Sequence, residues 1–347
     1  MQLTFEAIDE PQLGREWRAA FRRFWPGWRA WYLARGGEVR LDDAERRLRR
    51  HMPELVPVWQ RQVELSGGDE VAARFLTFWN PPAYLAHCSQ AVLVAPEGPI
   101  LVRNYDLDPR LSEATILRSA WTGRPVVAAM EAIAGAADGV NAAGFAVSLA
   151  FGGRRVRGPG FGVPLIVRYL LEVCGRTRDA VDVLRQVPSH MAYNLTLVDR
   201  TGDVATVLMA PDRAAEVLRR PYATNHQRRV EWPEQARFTR TVERARALRR
   251  LLAEHGLVPA RLIDAFLAPP LYASDHRAGF GTVYTAAYRS AGATLELRWP
   301  GEAPWRLGCG GVPARSPRVG DAPGAPGEPS ATARPVARGP PRPRRPP

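Results

Sequence analysis

Hydrophobic residues follow two different periods along this chain. Between residues 11 and 35, large apolar and aromatic side chains recur every three or four positions with arginines between them, which predicts an amphipathic helix. Further helices are predicted over residues 53–65 and 69–78, and this pattern stops at Asn80-Pro81-Pro82. From Cys88 onward the pattern changes to short apolar runs separated by turns, which predicts strands. A helical N-terminal segment therefore precedes a sheet-containing region.

The strand-forming region consists of predicted hairpins that alternate with predicted helices. Hairpins are expected over 88–102, 192–209 and 282–299, and helices over 164–174, 177–186, 234–254 and 259–267. This order predicts an α+β fold in which two antiparallel sheets carry helices on their outer faces. A parallel, doubly wound sheet would require strands and helices to alternate one by one, and the sequence does not have that pattern.

The first predicted hairpin carries side chains that can do chemistry. Cys88 begins its first strand, and its second strand ends in Arg103 and Asp106. Because a hairpin brings its two ends together, we expect both residues to lie beside Cys88. A neighbouring guanidinium favours the thiolate, which is the nucleophilic form of cysteine. The sequence predicts a reactive thiol here, and a buried, inert cysteine is the alternative.

The last 37 residues differ in composition from the rest of the chain. Within residues 311–347 there are eleven prolines, and valine is the only sizeable aliphatic residue. Such a segment cannot bury enough apolar surface to offset its ordering entropy, so we expect it to be disordered. It also holds seven arginines against two acids, a large part of the formal net charge of +13. The chain has no lysine, so we interpret the arginine excess as compositional bias and expect no nucleic-acid partner.

The three cysteines bear on the compartment of the protein. Cys88, Cys174 and Cys309 are odd in number and widely spaced, which argues against a disulfide framework or a zinc site and favours a reducing compartment. The N-terminus has no basic stretch before an apolar core, and no apolar run is long enough to cross a bilayer. We therefore expect a cytoplasmic protein with no membrane partner, no metal and no other cofactor.

Five short motifs occur in order along the chain. They are Cys88-Ser89-Gln90, Arg103-Asn104-Tyr105-Asp106, Asn141-Ala142-Ala143-Gly144-Phe145-Ala146-Val147-Ser148-Leu149, Ala192-Tyr193-Asn194-Leu195-Thr196 and Ala223-Thr224-Asn225-His226. Together they resemble the cysteine N-terminal-nucleophile hydrolases. The most similar group is the C45 peptidase family, which includes acyl-CoA:6-aminopenicillanic acid acyltransferase, and the choloylglycine hydrolases are more distant. The resemblance spans about residues 70–300 and implies a four-layer αββα sandwich of two antiparallel sheets.

The resemblance implies a precursor that is cut on the N-terminal side of the cysteine. The cleavage site would be the peptide between His87 and Cys88, and Cys88 would supply the thiol nucleophile. Its freed α-amine would be the general base, since an α-amine titrates near neutrality. Arg103 would stabilise the thiolate and Asp106 would orient the amine. The family usually has glycine before the cysteine, so His87 is a departure that bears on whether the chain is cut.

Further roles follow from the resemblance for four residues. Asn225 and Asn141 match asparagines that line the oxyanion hole of the family. Asn194 lies within a predicted strand, where asparagine is disfavoured, which favours a polar site. Arg237 is loosely similar to an active-site arginine of the choloylglycine group, and a plain surface arginine is the alternative. Ordinary turn residues are the alternative for the asparagines.

The sequence thus predicts three parts and one preferred activity. Residues 1–87 form a helical pro-segment or α subunit, 88–310 the hydrolase core, and 311–347 a disordered tail rich in proline and arginine. The expected enzyme is an autoproteolytic cysteine amidase or acyltransferase for linear amide C–N bonds of a small-molecule amide or acyl-CoA-type substrate, with its cleaved fragments associating. Two alternatives remain: an unprocessed hydrolase pairing Cys88 with His226 or His190, and a catalytically inactive binding protein on the same fold.

Overall fold

The computed structural model describes residues 3–35, 39–85, 87–276, 280–311 and 318–319. Its helices confirm the predicted concentration of helical structure at the N-terminus. In chain order the helices are α1 Arg15–Arg35, α2 Leu41–His51, α3 Val56–Leu65, α4 Glu70–Leu76, α5 Val163–Val173, α6 Thr177–Gln186, α7 Pro233–Phe238, α8 Thr241–Leu251 and α9 Pro259–Phe266.

The described strands occupy the chain before α1 and most of the region after residue 86. They are β1 Leu3–Thr4, β2 Glu6–Asp9, β3 His87–Ala95, β4 Gly98–Leu107, β5 Thr115–Ser119, β6 Val126–Glu131, β7 Gly135–Asn141, β8 Ala146–Phe151, β9 Tyr193–Val198, β10 Val204–Ala210, β11 Arg213–Leu218, β12 Tyr222–Ala223, β13 Gly281–Arg289, β14 Thr294–Arg298, β15 Trp305–Gly308 and β16 Arg318–Val319.

Two large sheets form the centre of the molecule. One has the order β11-β10-β9-β8-β7-β6-β5-β2, and the other has the order β12-β3-β4-β13-β14-β15. The sheets face each other where β3 and β4 pack on β8 and β9. Helices α5 and α6 cover the outer face of the first sheet, and α8 and α9 cover the second. This arrangement is the four-layer αββα sandwich that the sequence predicts, and it leaves both sheets buried.

Helix α5 lies unusually close to the first sheet because β7 carries glycine at the contact. A Cβ atom added at Gly139 would come within 2.7 Å of Leu171 Cδ1 and within 2.8 Å of Ala128 Cβ. Glycine therefore permits a close helix-to-sheet approach. Its strand also carries Asp138, whose side chain is fully buried between the layers.

The N-terminal segment is not wholly helical, which corrects the sequence prediction. Its strand β2 pairs in parallel with β5, from Glu6 opposite Thr115 to Asp9 opposite Arg118, and forms one edge of the eight-stranded sheet. This sheet is consequently antiparallel except at that edge. Trp17 on α1 donates to the Ile133 carbonyl at 3.3 Å. The segment before residue 87 is therefore built into the sheet and its core.

The predicted helix over 234–254 is two helices. Arg240, between α7 and α8, has a left-handed backbone with a φ of 52°. The break frees the Thr239 carbonyl, which accepts a hydrogen bond from Arg244 Nε at 2.8 Å. The arginine then extends its guanidinium toward β3.

The predicted disorder of 311–347 falls almost wholly outside the described residues. Within that range, Arg318–Val319 pairs with Leu3–Thr4 as a two-stranded sheet, which differs from the prediction at these two positions. Among the described helices, none has the length and apolar character needed to cross a bilayer.

Candidate active site

The β3–β4 hairpin brings the predicted reactive residues together. In its register Cys88 lies opposite Tyr105, and His87 lies opposite Asp106. Because strand side chains alternate between faces, Cys88 shares its face with Gln90. Gln90 hydrogen-bonds Ser148 on the opposing sheet, so this face is the inner one. The Cys88 thiol is therefore directed between the two sheets and is fully buried.

An arginine and an aspartate hold the thiol from the inside of the sandwich. Arg103 donates from Nη2 to Cys88 Sγ at 2.9 Å and from Nη1 to the Ala137 carbonyl at 2.9 Å. It also forms a fully buried ion pair with Asp138. The Asp138 carboxylate accepts two further hydrogen bonds, from Tyr284 at 2.8 Å and from Tyr288. The guanidinium is thereby fixed against the sulfur.

Burial and Arg103 have opposite effects on the thiol. Burial raises the pKa of the Cys88 thiol, and the charge and hydrogen bond of Arg103 partly offset that rise. The net shift is upward, so the thiol stays protonated at neutral pH. A base is required to make it a nucleophile.

The main chain of Cys88 is held separately from its side chain. Its backbone N–H donates to Asn225 Oδ1 at 3.0 Å. Arg244, only 3% exposed, donates to that same Oδ1 at 2.7 Å, to the Cys88 carbonyl at 2.8 Å and to Ser89 Oγ at 2.8 Å. The peptide nitrogen and carbonyl of Cys88 are thus fixed by two buried side chains.

Asp106 lies in the same cluster but does not contact the Cys88 nitrogen. Its Oδ1 accepts from Thr282 Oγ1 at 2.7 Å, and its Oδ2 pairs with Arg244 Nη1 at 3.4 Å. Burial raises the pKa of Asp106, and the Arg244 charge works against that rise. The carboxylate therefore lies on β4, beside the His87–Cys88 peptide of the neighbouring strand β3. It orients Arg244 there.

Three other predicted residues lie away from the thiol or make structural contacts. The Asn141 side chain makes structural hydrogen bonds: its amide donates to the Leu171 and Cys174 carbonyls at the end of α5, and its Oδ1 accepts from two backbone N–H groups of its own turn. Asn194 donates to the Thr224 and His226 carbonyls, so it braces the loop that carries Asn225, and its buried Oδ1 has no partner. Arg237 is a surface residue whose side chain is 74% exposed, next to Glu234.

Sequence reasoning missed Arg244 and Asp138. Both residues have a signal that is visible in the sequence. Arg244 occupies the buried stripe of α8 with Thr241, Leu248 and Leu251, where a charge is unexpected. Asp138 interrupts a run of alanine, glycine and valine that is otherwise a buried strand. Neither position reveals its partner, because each partner comes from a distant part of the chain.

No histidine among the described residues hydrogen-bonds the Cys88 sulfur. His226 contacts the hydroxyls of Thr224 and Thr241, and His190 contacts the Phe161 carbonyl. Burial lowers the pKa of each imidazole to about 4. These contacts do not support a Cys-His pair.

His87 borders a different group of side chains. Its ring packs edge-on against Phe280 and Phe238, with centroids at 5.3 Å and 5.9 Å, and its Nδ1 lies 3.5 Å from Gln235 Nε2. Burial, with the nearby charge of Arg244, lowers the pKa of His87 to about 3, so the imidazole is neutral. His87 has no positive φ, so its backbone does not require the conformational freedom of glycine.

A chain of buried acids and phenols continues from the site toward the N-terminal segment. Tyr105, whose ring lies 4.5 Å from the Arg103 guanidinium carbon, donates to Glu131 Oε2 at 2.6 Å. Glu113 accepts from Trp28 of α1 at 2.6 Å and from the Ile133 N–H at 2.9 Å. Burial raises the pKa of Glu131 to about 7 and, together with the charge of Glu131, that of Glu113 to about 8.

This acid pair predicts that the folded protein is more stable in mild acid. The unfolded chain loses these protons near pH 4.5, whereas the folded chain keeps them until about pH 7–8. The folded state therefore binds more protons between those values, and stability falls as the pH rises through them. We expect the melting temperature to be higher at pH 5.5 than at pH 8.5.

The same measurement on Glu113→Gln tests the cause. The amide mimics the protonated acid, so the fall in melting temperature with pH should become shallower. Glu64→Gln is the control, because Glu64 is exposed on α3 and its loss should leave the slope unchanged. An unchanged slope in Glu113→Gln would show that this carboxyl is not the group that titrates.

Cys88 lies near the start of β3, a strand within the αββα sandwich. The sequence profile of the acyl-coenzyme A:6-aminopenicillanic acid acyl-transferase family matches residues 94–304, more than half of the chain. The protein therefore belongs to that family and is an enzyme of the amidase and acyltransferase class. The matched range includes Arg103, Asp106, Asn225 and Arg244 and begins six residues after Cys88.

Solved structures of three enzymes are similar to the chain. Penicillin V acylase from Agrobacterium tumefaciens has 13% identity and a TM-score of 0.42, covering 64% of this chain and 86% of its own. The Caenorhabditis elegans N-acylethanolamine-hydrolyzing acid amidase ortholog has 15% identity and a TM-score of 0.42, covering 59% and 93%. A mutant conjugated bile acid hydrolase from Clostridium perfringens has 11% identity and a TM-score of 0.40, covering 68% and 97%. No curated protein sequence matches the chain.

Proposed function

We propose that this enzyme cuts its own chain between His87 and Cys88 and then transfers acyl groups from linear amides through a Cys88 thioester. The observation that carries the proposal is that two different side chains contact the sulfur and the backbone nitrogen of Cys88. Arg103 contacts the sulfur of Cys88, whereas Asn225 accepts from its nitrogen. This arrangement supports a role for both the thiol and, after cleavage, the α-amine of Cys88.

Self-cleavage would proceed as an acyl shift. The Cys88 sulfur attacks the His87 carbonyl carbon and the C–N bond breaks, which forms a thioester. Overall, the thiol proton is transferred to the departing nitrogen. Water then hydrolyses the thioester, which releases the carboxylate of His87 and restores the thiol. Asn225 and Arg244 keep the nitrogen and the Cys88 carbonyl in place during the shift.

The freed α-amine then supplies the base that the buried thiol lacks. An α-amine has an ordinary pKa of about 7.7–8.0, so it can take the thiol proton and later give it to the leaving amine. Asn225 Oδ1, which accepts from this nitrogen in the uncut chain, would orient the amine. Arg103 would stabilise the thiolate, and Asp106 would act through Arg244. Attack by water completes hydrolysis, and attack by an amine completes acyl transfer.

The segment before the cleavage site would remain as a subunit. Strand β2 belongs to the eight-stranded sheet, and Trp17 and Trp28 bond to groups of the core. Residues 1–87 and 88–347 would therefore stay associated after cleavage, as a helical segment and a hydrolase core. We expect them to co-elute in size-exclusion chromatography and to separate only in denaturant.

Intact mass spectrometry of the purified chain tests the proposal. We expect the 38.4 kDa species to be replaced by two fragments, the larger of which begins with Cys88. Because the thiol is fully buried in the uncut chain, iodoacetamide should modify Cys88 only after cleavage. A chain that keeps its full mass on long incubation, with Cys88 still unreactive, rejects the proposal.

The alternatives receive less support. A Cys-His enzyme would lose activity in His226→Ala or His190→Ala, and we expect both variants to be cut and active. A non-catalytic binding protein is disfavoured by membership in an enzyme family.

A further inference from the structure

The side chain of His87 occupies a small aromatic cradle beside the scissile peptide. We define the His87 cradle as Gln235, Phe238 and Phe280. The two phenyl rings lie 5.0 Å apart at 59°, and each meets the His87 ring edge-on. Such edge-to-face contacts are a favourable geometry for a planar ring.

Two features of the cradle indicate a place built for a ligand. Phe238 ends α7 and is 58% exposed, so the cradle opens to solvent. Gln235 is only 6% exposed, yet among the described residues its Oε1 has no hydrogen-bond partner. A buried amide oxygen left without a partner is costly, and a donor on a ligand would satisfy it.

We propose that the His87 cradle is the acyl-binding subsite of the processed enzyme and that it selects 3-arylpropanoyl groups. This inference rests on the proposed cleavage before Cys88. During that cleavage the acyl group carried by Cys88 is residue 87 itself. Its ring is attached two carbons from the carbonyl, as in a 3-arylpropanoyl group. The walls that hold this ring would thus match the one acyl group that Cys88 carries during the proposed cleavage.

After cleavage, residue 87 is no longer bonded to Cys88, and the cradle becomes available to a substrate. The substrate carbonyl must lie at the same sulfur, because Arg103 fixes that atom. An aryl ring would pack edge-on against Phe238 and Phe280, as the His87 ring does, and a ring hydroxyl would donate to Gln235 Oε1. A straight alkyl chain would lose the edge-to-face contacts and leave the amide oxygen unpaired.

The experiment compares two chromogenic amides on the processed enzyme, 3-phenylpropanoyl and hexanoyl p-nitroanilide. We expect the first to have the higher kcat/KM, and we expect Phe238→Ala and Phe280→Ala to reduce the ratio of the two about tenfold. Phe238→Leu should reduce it as well, since it keeps apolar bulk without the ring. 3-Phenylpropanoate should compete with either substrate, and its inhibition constant should rise in the same variants.

Val94→Ala is the matched control, because Val94 is 55% exposed at the far end of β3 and should leave the ratio unchanged. Phe238→Ala removes a largely exposed side chain, so its folding can be checked by an unchanged melting temperature. If the enzyme is processed and active but Phe238→Ala and Phe280→Ala leave the ratio of the two kcat/KM values unchanged, the subsite is wrong and the proposed function stands. A chain that is never cut and hydrolyses neither amide overturns both the subsite and the proposed function.

Discussion

Cys88→Ala should remain a single 38.4 kDa chain and lose amidase activity by a factor on the order of 10⁴ or more. In the proposed mechanism the sulfur is the nucleophile in both self-cleavage and substrate turnover, so its removal should stop both. The measurement is intact mass over time together with the rate of amide hydrolysis.

Cys174→Ala and Cys309→Ala are matched controls, since these cysteines are buried as well. Burial raises the pKa of Cys174 to about 12 and that of Cys309 to about 11, so neither is a nucleophile at neutral pH. Both variants should be cut and active. Processing of Cys88→Ala, or its loss in either control, would contradict the assignment of the nucleophile.

Arg244→Met should prevent cleavage and destabilise the fold by about 3–5 kcal/mol, because it leaves the buried Asp106 carboxylate without its cation. The same change removes donors from the Cys88 carbonyl, Ser89 Oγ and Asn225 Oδ1. Urea unfolding measures the stability, and intact mass measures the cleavage.

Two further variants separate the chemical role of Arg244 from its structural role. Arg244→Lys keeps the charge but cannot reach the Cys88 carbonyl and Asn225 together, so it should fold and be cut at least about tenfold more slowly. Arg237→Met should behave as wild type, because the Arg237 side chain is 74% exposed. Normal cleavage in Arg244→Lys would show that Arg244 contributes to stability alone. Slow cleavage in Arg237→Met would show that Arg237 does take part in the site.

The hairpin that carries Cys88 could be predicted because its information is local. Two apolar runs and the short Pro96-Glu97 turn between them fix which residues face one another, and the register places Asp106 opposite His87. The αββα layers could be predicted for a similar reason, since they follow from the order of hairpins and helices.

The remainder of the site depends on contacts between distant parts of the chain. The sequence does not distinguish Arg244 from the other arginines of this basic helix by residue type. The break at Arg240 directs its side chain toward Cys88. Asn141 is of a residue type that often lines active sites, yet its Oδ1 accepts the two hydrogen bonds that close its own turn. Strand β2 is four residues long and has weak periodicity, so its parallel pairing with β5 could not be read from the sequence.

The pairing of β2 with β5 also sets the order of two events, folding and the proposed cleavage. As one chain, the two strands find each other within a single molecule, so folding does not depend on concentration. Once residues 1–87 are severed from the rest, the same sheet edge becomes an interface between two molecules, and its formation follows mass action. Under the proposed cleavage, the fold must therefore be complete before the chain is cut. The processed form should then unfold at lower denaturant concentration on dilution and should regain its structure poorly after the denaturant is removed.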